Sequence, residues 1–63
     1  MTKMTLKAAR VNAGLTQAQV ALGLGVSTKT VANWESGVNS IPAKALLKMC
    51  DLYHISINDI DLP

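Results

Sequence analysis

Cys50 and His54 stand four positions apart, a spacing at which one helical face can offer two metal ligands. Two ligands do not make a site, and the chain has no second such pair. Cys50 also falls on an apolar helical face, and cysteine is among the most buried residue types. A core thiol and a helix-end imidazole are the better assignment, so no metal and no cofactor are expected. Gly23-Leu24-Gly25 resembles a fragment of a dinucleotide-binding loop, but it follows a helical pattern rather than a strand and fails that context. Ser, His and Asp are all present, yet nothing orders them into a nucleophile, a base and an orienting acid. A core this small leaves no room for a substrate pocket. The expectation is therefore no enzyme, and no small-molecule ligand is evident. What remains is a pair of opposite charges. Arg10 lies on the apolar face of a first helix, where an unpaired guanidinium is costly to bury. Glu35, the only acid before residue 51, stands beside the apolar Trp34. The two are expected to pair, bidentate and partly buried, in a structural role. A surface Arg10 that contacts phosphate is the alternative.

The scaffold for these residues is short. With 63 residues, 49% of them hydrophobic and 16% charged, the chain can build one compact core. A chain of this size buries only about 60% of the surface it exposes when unfolded. A two-domain enzyme, a nucleotide-binding α/β sheet and a separate effector domain are excluded, and residues 1–63 read as one domain. The longest uncharged stretch, Val11 to Thr28, carries Asn12, Thr16, Gln17 and Gln19 and three glycines, so no membrane span is expected. The opening Met-Thr-Lys-Met lacks the apolar run of a signal peptide, and one cysteine makes no internal disulfide. Both suggest a cytoplasmic protein. The formal net charge is +2, and it is unevenly placed: Lys3, Lys7, Arg10, Lys29, Lys44 and Lys48 precede Asp51, Asp59 and Asp61. A basic body with an acidic tail suits a protein that sets one face against a polyanion. Scattered charges on a soluble helical protein are the plainer interpretation.

Helix-start signals recur. Thr16-Gln17-Ala18-Gln19 fits a capping box, with Leu15 and Val20 as its hydrophobic staple. Ser27 repeats the geometry with Val26 and Val31, and Ser56 with Ile55, Ile60 and Asp59. Helices are predicted to start near Gln17, Thr28 and Ile57. Periodicity adds a first helix through Leu6, Ala9, Arg10 and Ala13, stopped by Gly14. It adds a fourth through Leu46, Met49, Cys50 and Tyr53, entered at Pro42, with Lys44, Lys48 and Asp51 facing water. No segment alternates with period two, so no strands are expected. Gly23 inside the second helix costs about 1 kcal/mol relative to alanine. The second helix ends near Leu24 and the third is stopped by Gly37. Two short helices joined by a turn containing Gly25 form a helix-turn-helix unit.

The run Leu15-Thr16-Gln17-Ala18-Gln19-Val20-Ala21, then Gly25-Val26-Ser27, Val31-Ala32-Asn33-Trp34-Glu35-Ser36-Gly37 and Pro42, resembles the phage repressor/Cro-type helix-turn-helix family. The likeness extends from about Leu6 to Ile60 and includes Leu52-Tyr53-His54-Ile55-Ser56-Ile57. The resemblance implies an all-α, five-helix repressor-like domain with its motif at about 17–36. It implies a third helix that enters the major groove of double-stranded DNA, and an Arg10–Glu35 pair joining the first and third helices.

That role can be matched to side chains. Thr28 offers a hydroxyl, or a methyl against a thymine methyl. Lys29 can donate to guanine O6 and N7 or to phosphate. Asn33 carries the donor and acceptor that match adenine N6 and N7 and is the best candidate for specificity; a solvated helix residue is the alternative. Phosphates are expected at the helix starts and the following loop, from Thr16, Gln17, Ser27, Thr30, Ser36, Asn39, Ser40 and Lys44. By resemblance, Gln17 sits over the DNA backbone, and bracing a recognition-helix side chain is a second use for it. The loop Val38-Asn39-Ser40 lacks the lysines and arginines that many relatives carry there, so a shallow salt dependence is expected.

The function expected is a sequence-specific transcriptional regulator, a repressor that occupies an operator as a homodimer. By resemblance the dimer contact lies in the C-terminal region, with Ile57, Ile60 and Leu62 as its residues. A core that absorbs these residues, leaving a monomer that pairs only on DNA, is the alternative. The rival function is a protein-interaction module, an antitoxin or co-regulator adaptor using the apolar and acidic C-terminal surface.

Overall fold

The computed structural model describes residues 3–63. Four α-helices carry the fold: α1 Leu6–Asn12, α2 Gln17–Leu24, α3 Thr28–Ser36 and α4 Ala43–Tyr53. Each of the first three starts at a hydroxyl in extended backbone that accepts a free amide of the first turn. Thr5 accepts from Ala8 N at 3.1 Å, Thr16 from Gln19 N at 3.1 Å and Ser27 from Thr30 N at 3.1 Å. At Thr16 the box is reciprocal, with the Gln19 side-chain oxygen accepting the Thr16 amide at 2.8 Å. Pro42 precedes α4 and provides no side-chain cap.

The helix exits share one design. After α1, α2 and α4 the chain turns left-handed at Gly14, Gly25 and His54. The next amide then reaches back five residues: Leu15 to Arg10 O at 3.2 Å, Val26 to Ala21 O at 3.0 Å, Ile55 to Cys50 O at 3.1 Å. This is the Schellman arrangement, which satisfies carbonyls the helix leaves open. The apolar residue that makes the bond is half-buried against the core, and the hydroxyl residue after it caps the following element. Gly-Leu-Thr, Gly-Val-Ser and His-Ile-Ser therefore each end one element and begin the next within three residues. His54 holds φ 54° where the other two turns use glycine.

Two expectations are corrected at the C-terminal end. The fifth helix is a single 3₁₀ turn, Ile57–Asp59, closed by Asp59 N to Ser56 O at 2.9 Å. Strands do occur: β1 (Met4–Thr5) and β2 (Ile60–Asp61) pair in parallel, Met4 opposite Ile60 and Thr5 opposite Asp61. The reason is one and the same. A helix continuing past Asp59 would lose the backbone pairing with β1, whereas extension at Ile60 secures that pairing and buries its side chain at 5% exposure. Two residues per strand are too few for a period-two pattern to register. Ile60 thus belongs to the interior and not to the dimer surface expected from the sequence.

Leu6 and Ala9, Val20 and Ala21, Val31 and Trp34, and Leu46, Met49, Cys50 and Tyr53 form the rest of the core, each helix supplying its apolar stripe. α2 packs against α3, and α4 lies across α1 and α2. No helix among the described residues is long and apolar enough to cross a membrane.

Gly23 lies inside α2 in ordinary helical backbone, and a Cβ there would meet only Leu52 Cδ1 at 3.8 Å, an ordinary contact. Gly23→Ala should therefore stabilise the fold by about 1 kcal/mol through helix propensity. Thermal denaturation should show a rise of about 4–8 °C for a chain of this size, and an unchanged or lower midpoint would show that α2 is strained at this turn.

Candidate nucleic-acid interface

α2, the turn Gly25-Val26-Ser27 and α3 form a helix-turn-helix between Gln17 and Ser36. The turn is fixed from both sides. Gly25 supplies the left-handed residue at φ 71°, a conformation that side chains with a Cβ adopt only at a cost. Half-buried Val26 anchors the turn to the core, and Ser27 caps α3.

At 100° per residue, Val31 and Trp34 point one way from α3, Lys29, Ala32, Asn33 and Ser36 fall on the opposite side, and Thr28 lies at the flank between them. Burial follows the same division. Val31 and Trp34 are in the core, Thr28, Lys29 and Ser36 are exposed, and Ala32 and Asn33 are half-buried. Of the three residues expected to read bases, Lys29 and Asn33 share one side of α3, one turn apart, and Thr28 stands at its edge in the first turn. Thr30 is half-buried and occupied locally, its hydroxyl 2.8 Å from that of Ser27. Among the other expected phosphate contacts, Thr16, Ser27, Asn39, Ser40 and Lys44 are exposed and flank α2, α3 and the loop between α3 and α4.

One carboxylate sets the orientation of this unit. Glu35 accepts from Arg10 Nε at 2.7 Å, more loosely from Arg10 Nη2 at 3.4 Å, and from Gln17 Nε2 at 2.9 Å. Arg10 Nη1 also donates to Leu15 O at 2.9 Å, in the turn between α1 and α2. α1, α2 and α3 therefore meet at a single group. The side chains of Arg10 and Glu35 are 10% and 5% exposed, so this pair is shielded from solvent, where a surface pair would contribute little. Gln17 is turned inward by its side chain, which leaves its backbone amide at the start of α2. From α4, the buried Tyr53 hydroxyl has no hydrogen-bond partner among the described residues. Burial first, and then the Glu35 charge, push its pKa up to about 12, so it stays neutral.

The Leu15 carbonyl, a member of this cluster, and the influence of Glu35 on Tyr53 are features that the sequence does not announce. No side-chain type announces a backbone acceptor. Tyr53 was placed in the core by its helical spacing alone, which says nothing of the charges beside it. The Thr5 cap was also missed; it lacks the Glu or Gln three residues on that completes a capping box. Cys50 is buried, its thiol pushed up by burial, whereas exposed His54 has left the helix, so the two do not share a face. No group of His, Cys, Asp and Glu among the described residues could hold a metal ion.

A family model described as helix-turn-helix matches residues 6–60. Comparison with curated proteins and comparison with solved structures give no match. The matched span includes all four helices, the turn at Gly25 and the Arg10–Glu35–Gln17 cluster. The chain belongs to the phage repressor/Cro-type helix-turn-helix family, a family of DNA-binding transcription regulators.

Proposed function

We propose that residues 1–63 act as one sequence-specific DNA-binding unit, a repressor that occupies a promoter-overlapping operator in the cytoplasm as a homodimer. The observation that carries this reading is the shared face of Lys29 and Asn33 on α3, opposite the side that Val31 and Trp34 bury, with the exposed Thr28 beside it at the first turn. An α-helix fits the major groove, and side chains near its N-terminus reach base edges. Asn33 is assigned to adenine, Lys29 to guanine or phosphate, and Thr28 to a base edge. Thr16, Gln17, Ser27, Thr30, Ser36, Asn39, Ser40 and Lys44 are assigned to the flanking phosphates, with backbone amides at the starts of α2 and α3 adding anion-binding dipoles. The mechanism is occupancy: bound protein excludes the transcription machinery, and no bond is made or broken.

The longest dimension of the molecule is 32 Å. Half-sites read on one face of the duplex lie about 34 Å apart, so one copy covers one half-site and a palindrome needs two. Ile57 and Leu62 are 42% and 46% exposed and are proposed as the dimer contacts; Ile60 is not.

Selection of bound sequences from a random duplex pool tests this. The expected result is a two-fold symmetric motif with half-sites one helical turn apart. The loop from Gly37 to Ile41 has no basic residue, and Lys29 and Lys44 are the only cations assigned to the interface. The logarithmic salt slope should therefore be shallow, roughly −2 per protomer. An unenriched pool, with weak binding that vanishes as salt rises, would overturn the operator reading in favour of a protein-interaction module.

A further inference from the structure

An open groove of about 360 Å³ runs between the end of α2, the turn and α4. Leu24, Val26, Trp34 and Ala45 form its floor, and the exposed Lys44 and Lys48 stand at its edge. Residues four apart on a helix share a face, so the two ammonium groups flank the same apolar strip one turn apart. Neither forms an ion pair among the described residues. At Leu24 and Lys48 the groove meets a second hollow of about 190 Å³, bounded by Gly23, Asp51 and Leu52. From Lys44 to Leu52 the two extend over about 12 Å of helix.

We propose that this groove docks an acidic amphipathic helix of another protein. Leucine-like side chains at positions i, i+3/i+4 and i+7 of the partner lie along the apolar floor, and carboxylates beside them face Lys44 and Lys48. The shape favours a helix over a small molecule: a ligand pocket encloses about 70–90% of its occupant, whereas this groove is long and open along one side. The charge favours an acidic partner and sets its direction. Two unpaired cations lie towards the start of α4 and Asp51 lies at the far end, so the acidic end of the segment points towards Lys44. Apart from Lys44, no groove residue is among those assigned to DNA, so the proposal does not depend on the operator reading.

The probe is a synthetic 12-residue peptide with leucines at one helical face and glutamates flanking them, compared with its counterpart carrying lysines in place of the glutamates. Trp34 is the only tryptophan and lines the groove, so its fluorescence reports occupancy directly. The expected result is saturable binding of the acidic peptide, with amide shifts at Val26, Ala45 and Lys48, and at least tenfold weaker binding of the basic one. Lys48→Glu, at an exposed position, should invert that preference while circular dichroism and DNA affinity stay unchanged. Equal binding of both peptides, no Trp34 response at millimolar peptide, or shifts confined to another face would each overturn the proposal. So would a homodimer that Lys48→Glu dissociates, because the occupant would then be a second copy of this chain.

Discussion

Glu35→Ala should lower the stability of the fold by about 3–5 kcal/mol. Removing this carboxylate takes a partner from Arg10 and from Gln17 at once and strands a guanidinium that is 10% exposed. Breaking a buried pair from one side costs about 3–5 kcal/mol. A chain of this length has a total stability of about 3–9 kcal/mol, so the loss consumes much or all of it. The double replacement Arg10→Met with Glu35→Leu removes both charges and should recover most of the deficit, because an apolar pair of similar volume is often neutral or better. Urea denaturation of the single and double variants measures both. A loss below about 1 kcal/mol for Glu35→Ala would place the pair in the class of surface salt bridges and refute its role as the junction of three helices.

Asn33→Ala should weaken binding to the preferred operator by about 1–3 kcal/mol per half-site, roughly 5- to 150-fold, the range for a bidentate amide–adenine pair. Asn33 lies outside the core, on the side of α3 away from Val31 and Trp34, so the fold should tolerate the change. Affinity alone does not separate reading from general weakening, but a double comparison does. The variant should lose its preference for adenine over guanine at one operator position, while wild type pays the mismatch there. Affinity for unrelated duplex should be unchanged. An equal loss on every sequence would reassign Asn33 to the phosphates.

Helix starts, the core stripe of α4 and the Arg10–Glu35 geometry could be anticipated because each depends on residues whose chemistry is local or singular. Thr16 with Gln19 can satisfy each other's backbone amides within one turn, and a lone acid near a buried arginine has few alternatives. The same local logic failed at Ser56. Its hydroxyl does cap, accepting from Asn58 N at 3.2 Å. A cap signals where a helix can begin and says nothing of how long it lasts, and here the competing partner was Met4, at the other end of the chain. The groove beside Lys48 was also invisible. Lys44, Lys48 and Asp51 were correctly placed in solvent, but the hollow they border exists only once the end of α2 lies against α4.

The pairing of Met4 with Ile60 also has a kinetic meaning. These residues are 56 positions apart, so their contact closes almost the whole chain into a loop, while α2, its turn and α3 are joined by neighbours. Loop closure must be offset by contacts already made, which places the β1–β2 pair after the helix-turn-helix in the order of assembly. Interactions that form after the transition state act on the unfolding rate and leave the folding rate nearly unchanged. The short parallel pair is therefore expected to act as a latch: a variant that weakens it should unfold faster while its folding rate stays nearly unchanged.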